Sequence, residues 1–216
     1  MVQMITLASR SEWLAKRQSY IGGSEAACIV GMNPYQSNVD LFNLKTGRRK
    51  AEDISDNPYV RYGAESEKYL RELFALDFPQ YEVGYAENNM WLNSDYPFAH
   101  ASLDGWLTDH AGRRGVLEIK TTTIQSPSQK LKWENRIPDN YFCQVLHYLA
   151  VTDFDFAILK AQLKWNYDDD VFCITKHYYI DREDVAEDIE ILMNAEKAFC
   201  EYLVRKECPP LVLPNV

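Results

Sequence analysis

This sequence has no Cys-x-x-Cys pair anywhere in its 216 residues. Its five cysteines (28, 143, 173, 200 and 208) are scattered and odd in number, which argues against a disulfide framework, a zinc ribbon and an iron–sulfur cluster. The four histidines show no zinc-ligand spacing, and His147 reads as a packed helix residue. No apolar run approaches the length of a bilayer span, and the first residues lack a signal-peptide pattern. These absences set the expectation of a protein of the reducing cytoplasm with no membrane partner. There is no internal repeat and no low-complexity segment. Positive charge is also in deficit, 23 Lys and Arg against 32 Asp and Glu, for a net charge of −9.

That deficit is uneven. Residues 1–50 carry seven basic and three acidic side chains, and residues 112–136 carry six and two. The segments 51–111 and 137–216 hold the compensating acid, −9 and −8. Two basic segments folded onto one face would offer a polyanion a favourable local field despite the acidic total. Solvated charge on separate surfaces explains the counts equally well, so the charge pattern permits DNA without demanding it. The rest is ordinary for a globular protein, 46% hydrophobic and 25% charged. The length fits one domain with room for a substantial core, and no second-domain boundary stands out.

Local patterns predict a helix over 11–20 capped by Ser11, and a helix over 25–31 capped by Ser24 after the Gly22-Gly23 turn. A further short helix is expected over 39–46, then an acidic loop over 51–58, and a longer helix from Gly63 to Phe78. The period then shortens, and 82–93, 98–108 and 115–122 read as successive strands. Pro138 opens a helix through Val151. Strands over 154–165 and 171–180 flank the turn Asp168-Asp169-Asp170, and an amphipathic helix closes the chain over 182–206. The expected fold class is α/β (α+β), a central mixed, mainly antiparallel sheet flanked by helices.

The chemistry concentrates in Ser102-Leu103-Asp104-Gly105, followed by Leu117-Glu118-Ile119-Lys120. Val116–Lys120 reads as a buried strand, in which Glu118 and Lys120 face the same way. Burying a carboxylate and an ammonium is costly unless they serve each other or a metal. Asp104 would join them if the two segments pair. Two carboxylates suit a hard cation such as magnesium, and a lysine beside them can position an attacking water. Taken alone the motifs are weak, since Asp-Gly is a common hairpin turn and Glu-x-Lys occurs in many strands.

Four further segments give the pattern its order: Trp13–Arg17 leading into Ile21–Ala27, Tyr62–Glu67 opening a helix, and Tyr141–Tyr148 within another, with Gln144 at its centre. In this order, from about Trp13 to Trp165, the sequence resembles the YqaJ-type viral recombinase family, the phage nucleases that include lambda exonuclease, within the PD-(D/E)xK superfamily. The resemblance implies a restriction-endonuclease-like core. It implies a single nuclease domain over 1–216: an N-terminal helical DNA-end-binding part (1–50), a catalytic core (60–165) and a C-terminal strand and helix (166–216).

The resemblance also implies roles. Asp104, Glu118 and the Ile119 backbone carbonyl would hold one or two Mg²⁺ ions, replaceable by Mn²⁺, with Glu67 as a supporting helical carboxylate. Lys120 would position the nucleophilic water, with Gln144 beside it. Arg17, Ser24 and Ser102 would contact phosphate, as at a DNA end carrying a 5′-phosphate. Other readings of single residues remain open: Ser24 as an ordinary cap, Glu67 and Arg71 as a surface ion pair, Glu65 in place of Glu67, and Gln144 and Arg17 as solvated helix residues. Leu103 stands where the superfamily motif has proline, a turn-shaping position that ligates nothing.

The activity implied is metal-dependent digestion of linear double-stranded DNA from its end, 5′ to 3′, in phage or prophage recombination. A homo-trimeric ring and a single-strand annealing protein would be its partners, in the bacterial cytoplasm. Two other functions compete. One is an endonuclease, although a repair-type nuclease with a four-cysteine cluster is disfavoured by the cysteine pattern. The other is a catalytically silent DNA-binding module of the same fold, which would have no need of buried charges.

Overall fold

The protein is described here by a computed structural model covering residues 1–168 and 170–213. It begins with strand β1 (Val2–Thr6), then helix α1 (Arg10–Arg17), the short β2 (Ile21–Gly22), α2 (Gly23–Ile29) and α3 (Asn38–Lys45). A twenty-residue helix, α4 (Pro58–Asp77), leads into five strands: β3 (Tyr81–Gly84), β4 (Asn89–Asn93), β5 (Ala99–Ala101), β6 (Gly105–Asp109) and β7 (Arg114–Thr123). Then come α5 (Pro127–Leu131), α6 (Asp139–Thr152), the hairpin β8 (Phe156–Tyr167) and β9 (Asp170–Asp181), and α7 (Ala186–Arg205) after one 3₁₀ turn.

The strands form two sheets, not the single central sheet expected from the pattern. One has the order β3-β6-β7-β8-β9 and the other β1-β4-β5-β2. The larger sheet is antiparallel except for β7 and β8, which run parallel and are joined through α6. A parallel pair needs such a crossover.

The predicted strands over 82–93 and 98–108 each break in two, so that one half serves each sheet. Asn89 explains how the breaks are tolerated. Its Nδ2 donates to Ala86 O and Leu103 O, both at 2.9 Å, and its Oδ1 accepts from Leu103 N at 2.9 Å. One buried amide thus satisfies backbone groups that both interruptions would leave without partners.

The faces of β7 divide the core. Leu117 and Ile119 point with Leu107, Phe156 and Ile158 towards Leu70 and Phe74 of α4. Val116 faces the opposite core, where Ala157, Leu159 and Ala161 of β8 meet Val145 and Leu149 of α6. Each large apolar side chain buried in this way contributes about 1.5–3 kcal/mol. A smaller cluster ties α2 and α3 to α7 through Cys28, Leu41, Phe42 and Phe199. Glu118 and Lys120 share Val116's side by strand alternation, so α6 has to accommodate charge among its apolar contacts.

Several element boundaries differ from the sequence expectation. The N-terminal segment is not purely helical, because β1 pairs antiparallel with β4. Ser9 caps α1 rather than Ser11, its hydroxyl accepting from Glu12 N at 3.2 Å. Ser24 lies inside α2, not at its cap. Gly22 is the capping position, and its N–H donates to Glu25 Oε2 at 2.9 Å, the return half of a capping box. Helix α4 starts at Pro58 behind the Asn57 cap, so Gly63 is interior. A Cβ there would stand 3.3 Å from Thr121 Oγ1 of β7, so the glycine allows close helix–strand approach rather than a helix start. Asp104-Gly105 is not the β6–β7 hairpin turn but the entry to β6. In the expected acidic turn, Asp168 takes a left-handed conformation (φ 51°) and Asp170 opens β9, while Asp169 lies outside the described residues.

Candidate active site

Asp104 enters from the break before β6, and Glu118 and Lys120 come from the middle of β7. Pairing of Gly105 with Leu117 sets Asp104 beside Glu118, and Asp104 Oδ2 accepts from Ile119 N at 2.8 Å. Lys120 Nζ lies 2.5 Å from Glu118 Oε1, and Gln144 Nε2 of α6 donates to the same oxygen at 2.9 Å. Gln144 also donates to the Tyr148 hydroxyl at 2.8 Å. It is buried, not solvated on the helix surface.

Glu67 reaches the site from α4 through Arg71. The guanidinium donates to Glu67 Oε1 at 3.0 Å and to the Asp104 backbone carbonyl at 2.6 Å. Arg71 is almost fully buried, so the pair is no surface ion pair. Glu65, the competing carboxylate, is exposed. Only Glu67 of the two lines the cavity described below.

The electrostatics follow from three carboxylates gathered around Lys120 and Arg71. Burial, reinforced by Glu118, raises the Asp104 carboxyl to about 7. Burial and Asp104 raise Glu67 to about 7. Glu118 is also raised, chiefly by burial, against the pull of Lys120. For Lys120, burial pushes the ammonium down, but Glu118 and Asp104 outweigh it and the net direction is up. The lysine is therefore a fixed positive charge near neutral pH.

A cavity of about 200 Å³ opens beside this cluster. Its lining brings together Glu67, Asp104 and Gln144 with Arg17, Ser24 and Ser102, residues far apart in the sequence. Arg17 packs on Trp13, its guanidinium carbon 4.6 Å from the ring centroid, and has no carboxylate partner among the described residues. Ser24 is exposed in the first turn of α2.

Ser102 differs from its expected role. Its hydroxyl donates to Asn89 O at 2.7 Å and accepts from Trp13 Nε1 at 3.0 Å. With its proton directed to the Asn89 carbonyl, it secures the break before Asp104 and has none left for a phosphate.

Glu118 Oε2 supplies the test of whether a cation fits. It is buried and has no hydrogen-bond partner, an arrangement that a buried carboxylate oxygen does not ordinarily sustain. No three His, Cys, Asp or Glu side chains among the described residues already converge closely enough to hold a metal. Two carboxylates and a backbone carbonyl nevertheless suit magnesium, which keeps several waters and takes phosphate oxygens as further ligands. The donor set fits.

The family profile of the YqaJ-like viral recombinase domain matches residues 12–155, two thirds of the chain and every residue of the site just described. The chain belongs to the YqaJ-like viral recombinase family. It is 30% identical over 146 residues to the uncharacterized protein YqaJ of Bacillus subtilis (strain 168), covering 66% of this chain and 42% of that relative, so it spans less than half of the relative's length. The alkaline exonuclease LHK-Exo of Laribacter hongkongensis shares the fold, with a TM-score of 0.61 at 21% identity over 91% of this chain and 97% of the other. The same enzyme in complex with dAMP matches equally. The two proteins thus share a fold.

Within this YqaJ-like domain, four residues that the sequence reading gave no role at the site help to shape it. Arg71 bridges Glu67 to the Asp104 carbonyl, Tyr148 receives the Gln144 amide, Asn89 holds the break before Asp104, and His100 lines the cavity. Only Arg71 left a signal, its i+4 spacing from Glu67.

Proposed function

We propose that this chain is a divalent-metal-dependent deoxyribonuclease that digests linear double-stranded DNA from its ends, 5′ to 3′, in phage or prophage recombination. The observation that carries the reading is the meeting of Asp104, Glu118, Lys120, Gln144 and Glu67 beside a cavity that also holds Arg17 and Ser24. Family membership and the alkaline-exonuclease fold support it.

In this reading Asp104, Glu118 and the Ile119 carbonyl hold one or two Mg²⁺ ions, or Mn²⁺ in their place, and Glu67 supports a bound water. When bound, the metal acts as a Lewis acid at the phosphate and lowers the pKa of water. Lys120, already charged, orients the nucleophilic water and stabilises negative charge developing on the phosphate. It is a hydrogen-bond donor rather than the base. Gln144 fixes the Glu118 carboxylate. Arg17 grips a phosphate through its planar fork, and Ser24 adds a hydroxyl. Ser102 is left out of this set. The trimeric ring, the annealing-protein partner and a bacterial cytoplasmic location belong to the same proposal. Among the described residues no helix is long and apolar enough to cross a membrane.

The test compares a linear duplex with a covalently closed circle in Mg²⁺. Degradation of the linear form with the circle left intact is expected. Nicking or linearising of the circle would turn the reading towards an endonuclease, and activity surviving excess chelator would remove the metal.

A second expectation comes from linkage. Asp104 and Glu67 sit at about 7 in the folded, metal-free protein, above their ordinary values of 3.8 and 4.5. The folded state binds more protons than the unfolded state between these limits, so their contribution is fully present below about pH 4 and is lost as pH rises through 7. A divalent ion at about 100 times its Kd then stabilises by about 2.7 kcal/mol. That is a rise in Tm of about 5–10 °C for a domain of this size. Thermal unfolding with and without Mg²⁺ should show this rise at pH 8 and little of it at pH 5. An equal rise at both would contradict the assignment of these carboxylates.

A further inference from the structure

Three aromatic side chains line the cavity beside the carboxylates: Trp13, Tyr85 and Tyr148. Two of them are engaged by the protein itself. Trp13 is buried, with the guanidinium carbons of Arg10 and Arg17 at 4.5 and 4.6 Å from its ring centroid. Tyr148 is buried as well, and its ring lies so close to α2 that a Cβ on Gly23 would come within 2.4 Å of it. Tyr85 differs. It is 44% exposed, and the Arg71 guanidinium covers one face of its ring, 3.5 Å from the centroid. So much exposure with one face covered leaves the other face open.

The position of this ring is fixed from above and below. Tyr85 lies in the link between β3 and β4, where the expected strand over 82–93 breaks. The Asn89 amide holds that link by donating to Ala86 O at 2.9 Å, and Asn88 O accepts from Leu7 N at 3.2 Å. Behind the ring, Arg71 donates to Glu67 Oε1 at 3.0 Å and to Asp104 O at 2.6 Å. The ring therefore sits one stacking distance from a guanidinium that is bonded to two residues of the carboxylate cluster. A flat ligand on the open face would complete a stack of Arg71, Tyr85 and ligand. Beside a site built for phosphate, the flat ligand that fits is a nucleobase, since every base has a π-face.

We propose that the open face of Tyr85 is a stacking platform for the nucleobase next to the phosphate held at Asp104 and Glu118. The contact positions the strand without reading its sequence, because stacking uses the face of the base and leaves its hydrogen-bonding edges unread. The inference rests on the nuclease reading and adds to it a contact that sets how the nucleotide lies over the carboxylates.

A binding cycle between ring and base tests it. Dissociation constants of linear duplexes are measured in Ca²⁺, without turnover, for the parent protein, Tyr85→Ala and Tyr85→Phe. The duplexes are intact or carry an abasic residue at the first or the second nucleotide of the 5′-ended strand. The parent should bind one of the two abasic duplexes about tenfold more weakly than the intact one. Tyr85→Phe should show the same loss, and Tyr85→Ala a loss of less than about twofold. Loosening of Arg71 alone would weaken all the duplexes alike and leave the ratio at the parent's value, so a purely structural role is separable. An unchanged ratio in Tyr85→Ala overturns the inference, as does a parent that ignores both abasic positions or binds none of the duplexes. If Tyr85→Ala does not fold, Tyr85→Leu, which keeps an apolar cover over Arg71 without a π-face, decides on the same criterion. Digestion of the intact duplex in Mg²⁺ reports separately on the nuclease reading. A parent that digests while the Tyr85→Ala ratio is unchanged loses this inference alone.

Discussion

Lys120→Ala lowers the rate of linear-duplex digestion by about 10²–10³-fold, the usual loss when one aligned donor to a developing oxyanion is removed. Lys120 lies 2.5 Å from Glu118 Oε1, and Glu118 and Asp104 keep it protonated despite burial. Its deletion removes the positive charge nearest the site's paired carboxylates and leaves Glu118 without its counter-ion. The drop should fall on kcat rather than KM, because the interaction belongs to the transition state more than to bound DNA. Single-turnover rates at saturating DNA measure it, with Tm recorded alongside. A variant within threefold of the parent would remove Lys120 from the chemistry and with it the main support for hydrolysis at this cluster. Asp104→Asn and Glu118→Gln should fail more completely, since they remove the anionic oxygens that would hold the metal.

Glu196→Ala has the largest expected effect on stability, about 3–5 kcal/mol, the cost of leaving one member of a buried ion pair alone. Glu196 Oε1 of α7 lies 2.8 Å from His147 Nδ1 of α6, and neither side chain is exposed. Burial pulls the His147 ring down, but Glu196 outweighs it and the net direction is up. His147 therefore contributes stability that is fully present below its ordinary value of 6.5 and is lost as pH rises through its folded value. At pH 6 the variant should melt about 6–20 °C below the parent. A loss under 3 °C would show that the pair is not held as described. Because His147 Nε2 donates to the His100 carbonyl, loosening this pair should also blur the position of β5 and the cavity wall.

The motif residues were legible in the sequence because each obeys a short-range rule. Strand alternation alone placed Glu118 and Lys120 on one face, and helical spacing placed Gln144 mid-helix. The order of the segments was enough to reach the family. Cap positions were less legible. Ser24 and Ser11 are good caps by type, yet Gly22 and Ser9 do the work, since the side chain of Glu25 or the hydroxyl of Ser9 reaches the free N–H groups first.

What the sequence determined by itself was therefore the set of chemical groups: the paired carboxylates, the lysine, the helical glutamine and the two separated basic segments. The tertiary structure decided their distances, their charge states and their company. It broke two expected strands at Asn89, whose buried amide satisfies both interruptions, and so made two sheets from one pattern. It brought Arg71 under Asp104, turned Ser102 to structural use, and left His100 buried beside Arg17 without a partner. None of these is a property of spacing along the chain. Each depends on which groups burial leaves with a hydrogen bond and which without, and that is settled only when remote segments close over one another.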